Sequence, residues 1–254
     1  MKSITSILTV FKRWKNLIKQ IEALENQILS PSKYIFCVNN KEEWAKYKDK
    51  ITISKERYWV VEFSENVGVW ARFFLAFNAE TDLIYICDDD VIAGKKRLEN
   101  GVKALQGKEM IVWSWGSIFN SLENRRDRKI ISESNNRPTE ITYCNMSGQS
   151  WLFRKSTLPK MFSFLPSKLN DYVVCGEELL ISWSASLYWL GTYILPMTED
   201  KETRGNTKPT LWHDQNAWFN KYGNTLYQDF FKYCVDMGYN PIEDYKKYNK
   251  LKND

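Results

Sequence analysis

Tyr85-Ile86-Cys87-Asp88-Asp89-Asp90-Val91-Ile92 sets three aspartates directly behind an apolar run that begins at Leu83. Leu83 to Cys87 is apolar at every position, without the alternation of a half-solvated strand. That pattern belongs to a strand buried on both faces of a parallel sheet. The aspartates stand where the strand should end, and open α/β sheets bind ligands outside the carboxyl ends of their strands. In extended backbone, residues two apart share a side, so Asp88 and Asp90 are expected to face one pocket and Asp89 to face away. Two converging carboxylates repel each other. A hard divalent cation with oxygen ligands relieves the repulsion and can also hold the phosphates of a nucleotide. An acidic turn after a strand would look the same in isolation, so the flanking sequence has to decide.

Upstream, Ile4 to Phe11 reads as a first strand. Trp14, Leu17, Ile18, Ile21, Leu24 and Ile28 then recur at helical spacing until Ser30-Pro31-Ser32 breaks the pattern. Lys33 to Val38 is a second strand ending in Asn39-Asn40, which suit a turn and could also read the edge of a base. A short helix over 42–47 and a strand over 59–63 follow. Asn66-Val67-Gly68 opens a helix with Trp70, Phe73, Phe74 and Phe77 on its apolar side and Arg72 beside them. Downstream, Lys95 to Leu105 reads as a helix and Met110 to Trp115 as a strand. This alternation implies an α/β fold with right-handed crossovers and a mostly parallel sheet flanked by helices.

The second half is less regular. Leu122 to Pro138 carries Arg125, Arg126, Arg128 and Lys129 and reads as an exposed, solvated charge run, with contact to an acidic acceptor as the alternative. A strand is expected over 140–144. Ser147-Gly148-Gln149-Ser150 leads into the aromatic run from Trp151, then a helix near 156–162. Cys175-Gly176-Glu177-Glu178 opens a helix running to Leu190, with Gly191 expected to end it. A short strand spans 192–195, a polar loop 197–211, and a final helix 217–237. The basic tail from Tyr245 is expected to fray.

Composition narrows the class. The 254 residues suit one large α/β domain without a linker or repeat, and a net charge of +5 is too mild to indicate nucleic acid. Five scattered cysteines form no CxxC pair. Such cysteines suit buried positions and a reducing, cytoplasmic compartment. No stretch is long and apolar enough to cross a membrane. The N-terminal run is broken by Ser and Thr, which argues against a signal peptide and for a nearby natural start. Some of the eleven tryptophans could offer a flat face to a sugar.

Taken in order, these features resemble a glycosyltransferase of the GT-A fold over almost the whole chain. The resemblance rests on Ile7 to Arg13, on Arg72-Phe73 followed by Glu80-Thr81-Asp82 and Asp88-Asp89-Asp90, on Gly148 before an aromatic strand, and on Gly176-Glu177-Glu178 with a later Trp212-His213. The first three features also suit the large family 2 of inverting enzymes. The Arg-Phe spacing, the triple aspartate and the late Trp-His look more like the exostosin-type family 64, which is retaining, and tilt the reading slightly towards retention.

The resemblance implies a donor that is a nucleoside-diphosphate sugar, with UDP as nucleotide, and a glycan or other hydroxyl acceptor. It implies Mn2+ or Mg2+ held by Asp90, Asp88 and His213. Asn40, Arg72, Asp88, Asp89 and Arg204 would bind the nucleotide sugar. Gly148 and Trp151 would bind the acceptor, with Trp115 a further platform and core packing the other role open to both tryptophans. Glu178 would be the catalytic carboxylate, with Glu177 the second catalytic candidate, binding the acceptor or capping the helix. If the two glutamates open a helix, only one can readily point into the pocket, since successive residues diverge by about 100°. Residues 1–115 would form the nucleotide-sugar half, 116–240 the acceptor half and 241–254 a basic tail, which could touch a membrane surface. A nucleotidyltransferase would place a glycine-rich loop after the first strand, where Thr9 to Lys15 contains no glycine. A non-catalytic sugar- or nucleotide-binding module would be expected to have lost the acidic residues, which are present.

Overall fold

The computed structural model describes residues 3–131, 138–165, 167, 169–196, 202 and 225–250. Its nine strands are β1 (Ile4–Val10), β2 (Lys33–Val38), β3 (Tyr58–Glu62), β4 (Leu83–Cys87), β5 (Met110–Phe119), β6 (Arg128–Ile130), β7 (Thr142–Tyr143), β8 (Met146–Arg154) and β9 (Gly191–Ile194). They form one sheet in the order β3-β2-β1-β4-β8-β5-β9-β7, with β6 paired to β5. β1 lies parallel to β2 and β4, β2 to β3, and β5 to β9. β8 runs antiparallel between β4 and β5. Three strands of the mostly parallel sheet are reversed: the short β6 and β7, antiparallel to β5 and β9, and β8, immediately beside the aspartates.

Helices cover both faces: α1 (Trp14–Glu25), α2 (Lys41–Tyr47), α3 (Ala71–Leu75), α4 (Arg97–Ala104), α5 (Leu158–Met161), α6 (Glu177–Leu187), α7 (Thr225–Asp236) and α8 (Pro241–Lys250). β4 shows why its sequence has no alternation. Leu83, Tyr85 and Cys87 pack among Leu17, Ile21 and Leu98 on the face of α1 and α4. Ile84 and Ile86 pack among Phe73, Trp113, Trp151 and Ile181 on the face of α3, α5 and α6. Both parities are buried, so both must be apolar. α7 lies on α6 through Leu179, Leu180, Trp183, Phe230 and Phe231.

Four local expectations are corrected. Phe74 and Phe77 are exposed, because α3 ends after one turn and only Trp70 and Phe73 of the aromatic set reach the core. The charge run after Leu122 contains β6 and buries Arg125. α6 is ended by Trp189 rather than by Gly191. Trp189 adopts φ 59°, its N–H donates to Ser186 O at 3.2 Å, and the Leu190 N–H donates to Ala185 O at 3.0 Å. This paired closure needs its left-handed residue two positions before Gly191, and that glycine starts β9 instead. The tail does not fray at Tyr245. α8 packs on β5 and β7, and Tyr248 stacks on Tyr143 at 4.4 Å between ring centroids. The Trp212-His213 pair, Arg204 and the start of the last helix lie outside the described residues.

Candidate active site

The aspartate turn is built by two neighbours. The Asp88 N–H donates to Gln149 O at 2.9 Å, tying the turn to β8. From the other side, α1 offers a polar stripe. Asn16 Nδ2 donates to Asp89 O at 3.1 Å, and Gln20 Nε2 donates to Asp88 O at 2.5 Å and Val91 O at 2.9 Å. Gln27 Nε2 reaches Gly94 O at 2.6 Å. Asn16 and Gln20 are four residues apart on one face of α1, and Gln27 follows just beyond the end of the helix. They satisfy carbonyls that the turn would otherwise bury without partners.

Extended geometry ends at Cys87, so the rule that sets Asp89 apart from its neighbours does not apply beyond it. All three aspartates line one cavity. Arg13, the residue before α1, donates to Asp89 Oδ1 at 2.5 Å and lies 3.5 Å from Asp90 Oδ2. Burial, with the adjoining Asp88 and Asp89 charges, holds the Asp90 carboxyl well above the ordinary carboxylate range.

The second acidic group faces the first. Gly176 turns the chain into α6 at φ 90°, where a Cβ would also lie 2.3 Å from the Phe230 ring. The Glu177 and Glu178 that follow sit in the first turn of the helix, whose dipole favours negative charge. Both glutamates line the cavity, which corrects the expectation that only one could. They reach it differently. Glu177 accepts from Arg72 Nη2 at 2.8 Å, and Nη1 of the same guanidinium pairs with Asp88. Glu178 Oε2 accepts from the Tyr227 hydroxyl at 2.8 Å. Burial, reinforced by Glu178, raises the Glu177 carboxyl well above its usual range. Burial and then Asp88 raise Glu178, while the Tyr227 hydrogen bond pulls it back down. For Arg72, burial opposes the charge, but Asp88 and Glu177 outweigh it and hold the guanidinium firmly protonated.

The cavity has a volume of about 230 Å³ and is lined from both ends of the chain, by Thr9, Asn39 and Asn66 as well as by the acids and Tyr227. Three assignments from the sequence change. Asn40 caps α2 by accepting the Glu43 N–H at 3.1 Å, and Asn39 is the amide that lines the cavity. Asn39 Nδ2 donates to Gly68 O at 3.1 Å, which leaves its Oδ1 buried without a partner. Trp151 is fully buried and is no acceptor platform. Its ring lies 4.7 Å from the Arg72 guanidinium and orients it. Gly148 lies beneath Glu178, where a Cβ would stand 3.3 Å from Oε1. Arg13 and Tyr227 were missed. The rule that selects the ends of parallel strands could have found Arg13, three residues beyond β1. No pattern in the sequence connects Tyr227 with Glu178.

Among the described residues, no group of three or more His, Cys, Asp or Glu side chains could hold a metal unaided. Magnesium-type ions do not require one, since one or two carboxylates plus substrate phosphates and water complete the shell. Asp88 and Asp90 fit that pattern. A carboxyl whose pKa is raised by burial and by adjoining carboxylates, as that of Asp90 is, is one that a divalent cation would ionise and bind.

The profile of "Glycosyl transferase family 2" matches residues 5–162, well over half of the chain. The chain belongs to glycosyl transferase family 2. This match does not extend to the narrower exostosin-type family. No curated protein matches the sequence. Among solved structures, the fold is similar to GalNAc-T7 crystallised with UDP, GalNAc and Mn2+, with a TM-score of 0.62 at 12% identity. That match covers 76% of this chain but only 42% of the other. At such identity it shows a shared GT-A fold and nothing finer. No helix among the described residues is long and apolar enough to cross a membrane.

Proposed function

We propose that this protein is a metal-dependent glycosyltransferase that moves a sugar from a UDP-sugar to a hydroxyl of a glycan or similar acceptor, with inversion at the anomeric carbon. The observation that carries the reading is a single cavity, in a family 2 chain, where the aspartate turn and the glutamate pair face each other across Arg72. The UDP and Mn2+ of the structural neighbour support the choice of donor and ion. Membership of family 2 favours inversion over the retention that the late Trp-His resemblance implies.

Asp88 and Asp90 would hold Mn2+ or Mg2+, with His213 the third ligand that the resemblance adds. When bound, the ion supplies Lewis-acid stabilisation of the departing diphosphate. Arg13 and Arg72 neutralise the aspartates in its absence and stand ready to turn towards phosphate oxygens, as planar guanidinium forks do. Asn39, with its spare buried Oδ1, replaces Asn40 as the amide available to a nucleobase. Glu178 takes the acceptor's hydroxyl proton as the acceptor oxygen bonds to the anomeric carbon and the bond to the diphosphate breaks. A base works best with a pKa near the operating pH, and burial moves Glu178 in that direction. The test is a panel of nucleotide sugars with Mn2+ or EDTA, scored by nucleoside-diphosphate release, with proton NMR of the first-formed product. Release that is indifferent to EDTA, or a product that retains the donor's configuration, would overturn the corresponding part of the reading.

A further inference from the structure

The two ends of the sheet are protected differently. At one end β7 is two residues long, and α8 packs on it. Short strands and covering helices keep an edge from pairing with another chain. At the other end stands β3, Tyr58-Trp59-Val60-Val61-Glu62, which pairs with β2 in unbroken register and contains no proline, bulge or lysine. The Phe63 N–H donates to Val38 O at 3.0 Å. Successive residues of a strand turn their backbone groups to opposite edges, so those of Trp59, Val61 and Phe63 face β2. The N–H and C=O of Tyr58, Val60 and Glu62 therefore point away from the sheet. Among the described residues, no backbone group bonds to them.

The side chains along this edge are apolar at its middle and charged at its ends. Trp59 is 43% exposed, and Val61 and Phe63, on the same face, are only partly buried. Phe63 also lines a groove with Val67, Trp70 and the exposed Phe74. The turn Lys55–Arg57 enters the strand, and Glu62 and Glu65 leave it. Arg57 is held by Glu25, whereas Lys55, Glu62 and Glu65 stand exposed.

We propose that β3 pairs antiparallel with β3 of a second copy of this chain, with Val60 on the two-fold axis, so that one sheet runs through both copies. A two-fold interface sets a patch against itself and must be self-complementary. Centring on Val60 sets Tyr58 of each copy opposite Glu62 of the other and uses every outward backbone group of the strand. Trp59 of each copy then lies opposite Val61 of the other and diagonal to Phe63 at the groove. Aromatic and β-branched side chains are favourable partners across strands. Lys55 approaches Glu65 at either end, and Glu56 falls opposite Ser64. Sliding the copies by two residues would keep the backbone bonding but bring Glu56 against Glu62, so charge selects the register. The catalytic cavity, lined by Asn39 and Asn66, lies beyond the carboxyl ends of β2 and β3. Antiparallel pairing sends those ends in opposite directions and leaves both cavities open.

Sedimentation velocity of the full chain over a concentration series tests this, and the expected result is a reversible monomer–dimer equilibrium. Val60→Pro removes an outward N–H that β2 does not use, a change that an edge strand tolerates, and should leave a folded monomer. Lys55→Glu alters only an exposed side chain. It should weaken the dimer by about tenfold or more, because symmetry counts the new like-charge contact twice. The double variant Lys55→Glu with Glu65→Lys should dimerise as the wild type does. A wild type that stays monomeric throughout the series overturns the proposal and leaves the edge to an extended segment of another protein. A dimer that Lys55→Glu does not weaken, or that the double variant does not restore, overturns it as well. So does a dimer that survives in a folded Val60→Pro protein, which would place the interface elsewhere.

Discussion

The cavity holds two acidic regions that the chain treats differently. Each aspartate is met by a guanidinium, with Arg72 on Asp88 and Arg13 on Asp89 and, more distantly, on Asp90. The turn's backbone is pinned by amides from α1. In the glutamate region the shared guanidinium is taken by Glu177, and Glu178 accepts from the phenol of Tyr227. Arginine favours the charged form of a carboxylate, although burial and like charge still raise Asp89, Asp90 and Glu177. A buried carboxylate that accepts from a hydroxyl keeps a raised pKa and can take a proton. The difference separates a region built to exchange arginine for another cation from one built to move a proton.

The most severe way to break that contrast is to remove an aspartate. Asp90→Ala should lower turnover by about a thousandfold or more, on the order expected when the charge stabilisation at the leaving group is lost. Mn2+ affinity, read by electron paramagnetic resonance, should fall with it. EDTA should silence the wild type, and Mn2+ should restore it. A protein that remains active in EDTA would show that the two arginines alone serve the aspartate region. His213→Ala should weaken Mn2+ binding less than Asp90→Ala does, and no change would return His213 to a structural role.

On the other side, Glu178→Gln keeps shape and hydrogen bonding but cannot accept the proton. Turnover should fall on the order of a hundredfold, with UDP affinity nearly unchanged because the nucleotide meets the other region. Glu177→Gln should cost less turnover and instead loosen Arg72. If Glu177→Gln is dead and Glu178→Gln is active, the roles of the two glutamates are exchanged.

Arg72 is the bridge between the regions, and cutting it sharpens the comparison. Arg72→Met would leave the buried Glu177 and the partly buried Asp88 without their common partner. Loss of one member of a buried pair commonly costs about 3–5 kcal/mol, so a clear drop in thermal stability is expected. The double variant Arg72→Met with Glu177→Gln should recover part of that drop, because it no longer strands the Glu177 charge. Full additivity of the two changes would mean that the pair is not coupled in solution.

How much of this the sequence disclosed follows the same divide. The aspartate region was legible because its signal is local: an apolar strand, a break in pattern, then acids at a strand end. The acidic start of α6 was legible for the same reason. What was hidden depends on contacts between distant parts of the chain. Trp151 looked like an exposed platform because nothing local shows that β8 inserts antiparallel beside β4 and buries it. Asn40 was chosen over Asn39 because turn chemistry does not reveal which side chain points inward. Arg128 read as part of a charge run because a three-residue strand carries too short an alternation to detect, and nothing local shows that Arg125 packs on Tyr227. Trp189 was overlooked at the end of α6 because a left-handed residue there is usually glycine.

The smallest expected effect tests the phenol. Tyr227→Phe keeps the ring, its packing under Arg125 and its place against Phe230, and removes only the donor to Glu178. That hydrogen bond favours the charged carboxylate, so its loss should raise the Glu178 pKa further. Glu178 must be deprotonated to act as a base, and activity therefore rises with pH as it loses its proton. Removing the bond should move the acid limb of the kcat/KM profile to higher pH. At low pH the variant should be several-fold slower, since a neutral hydrogen bond contributes about 0.5–1.5 kcal/mol net. On the alkaline side of the limb the difference should shrink, because both proteins are then ionised and differ only in how the carboxylate is oriented. A uniform loss at every pH, with the limb unmoved, would reduce Tyr227 to an orienting contact. An unaltered profile would mean that Glu178 is not the group whose ionisation limits the rate, and the contrast between the phenol-bound and arginine-bound carboxylates would lose its chemical meaning.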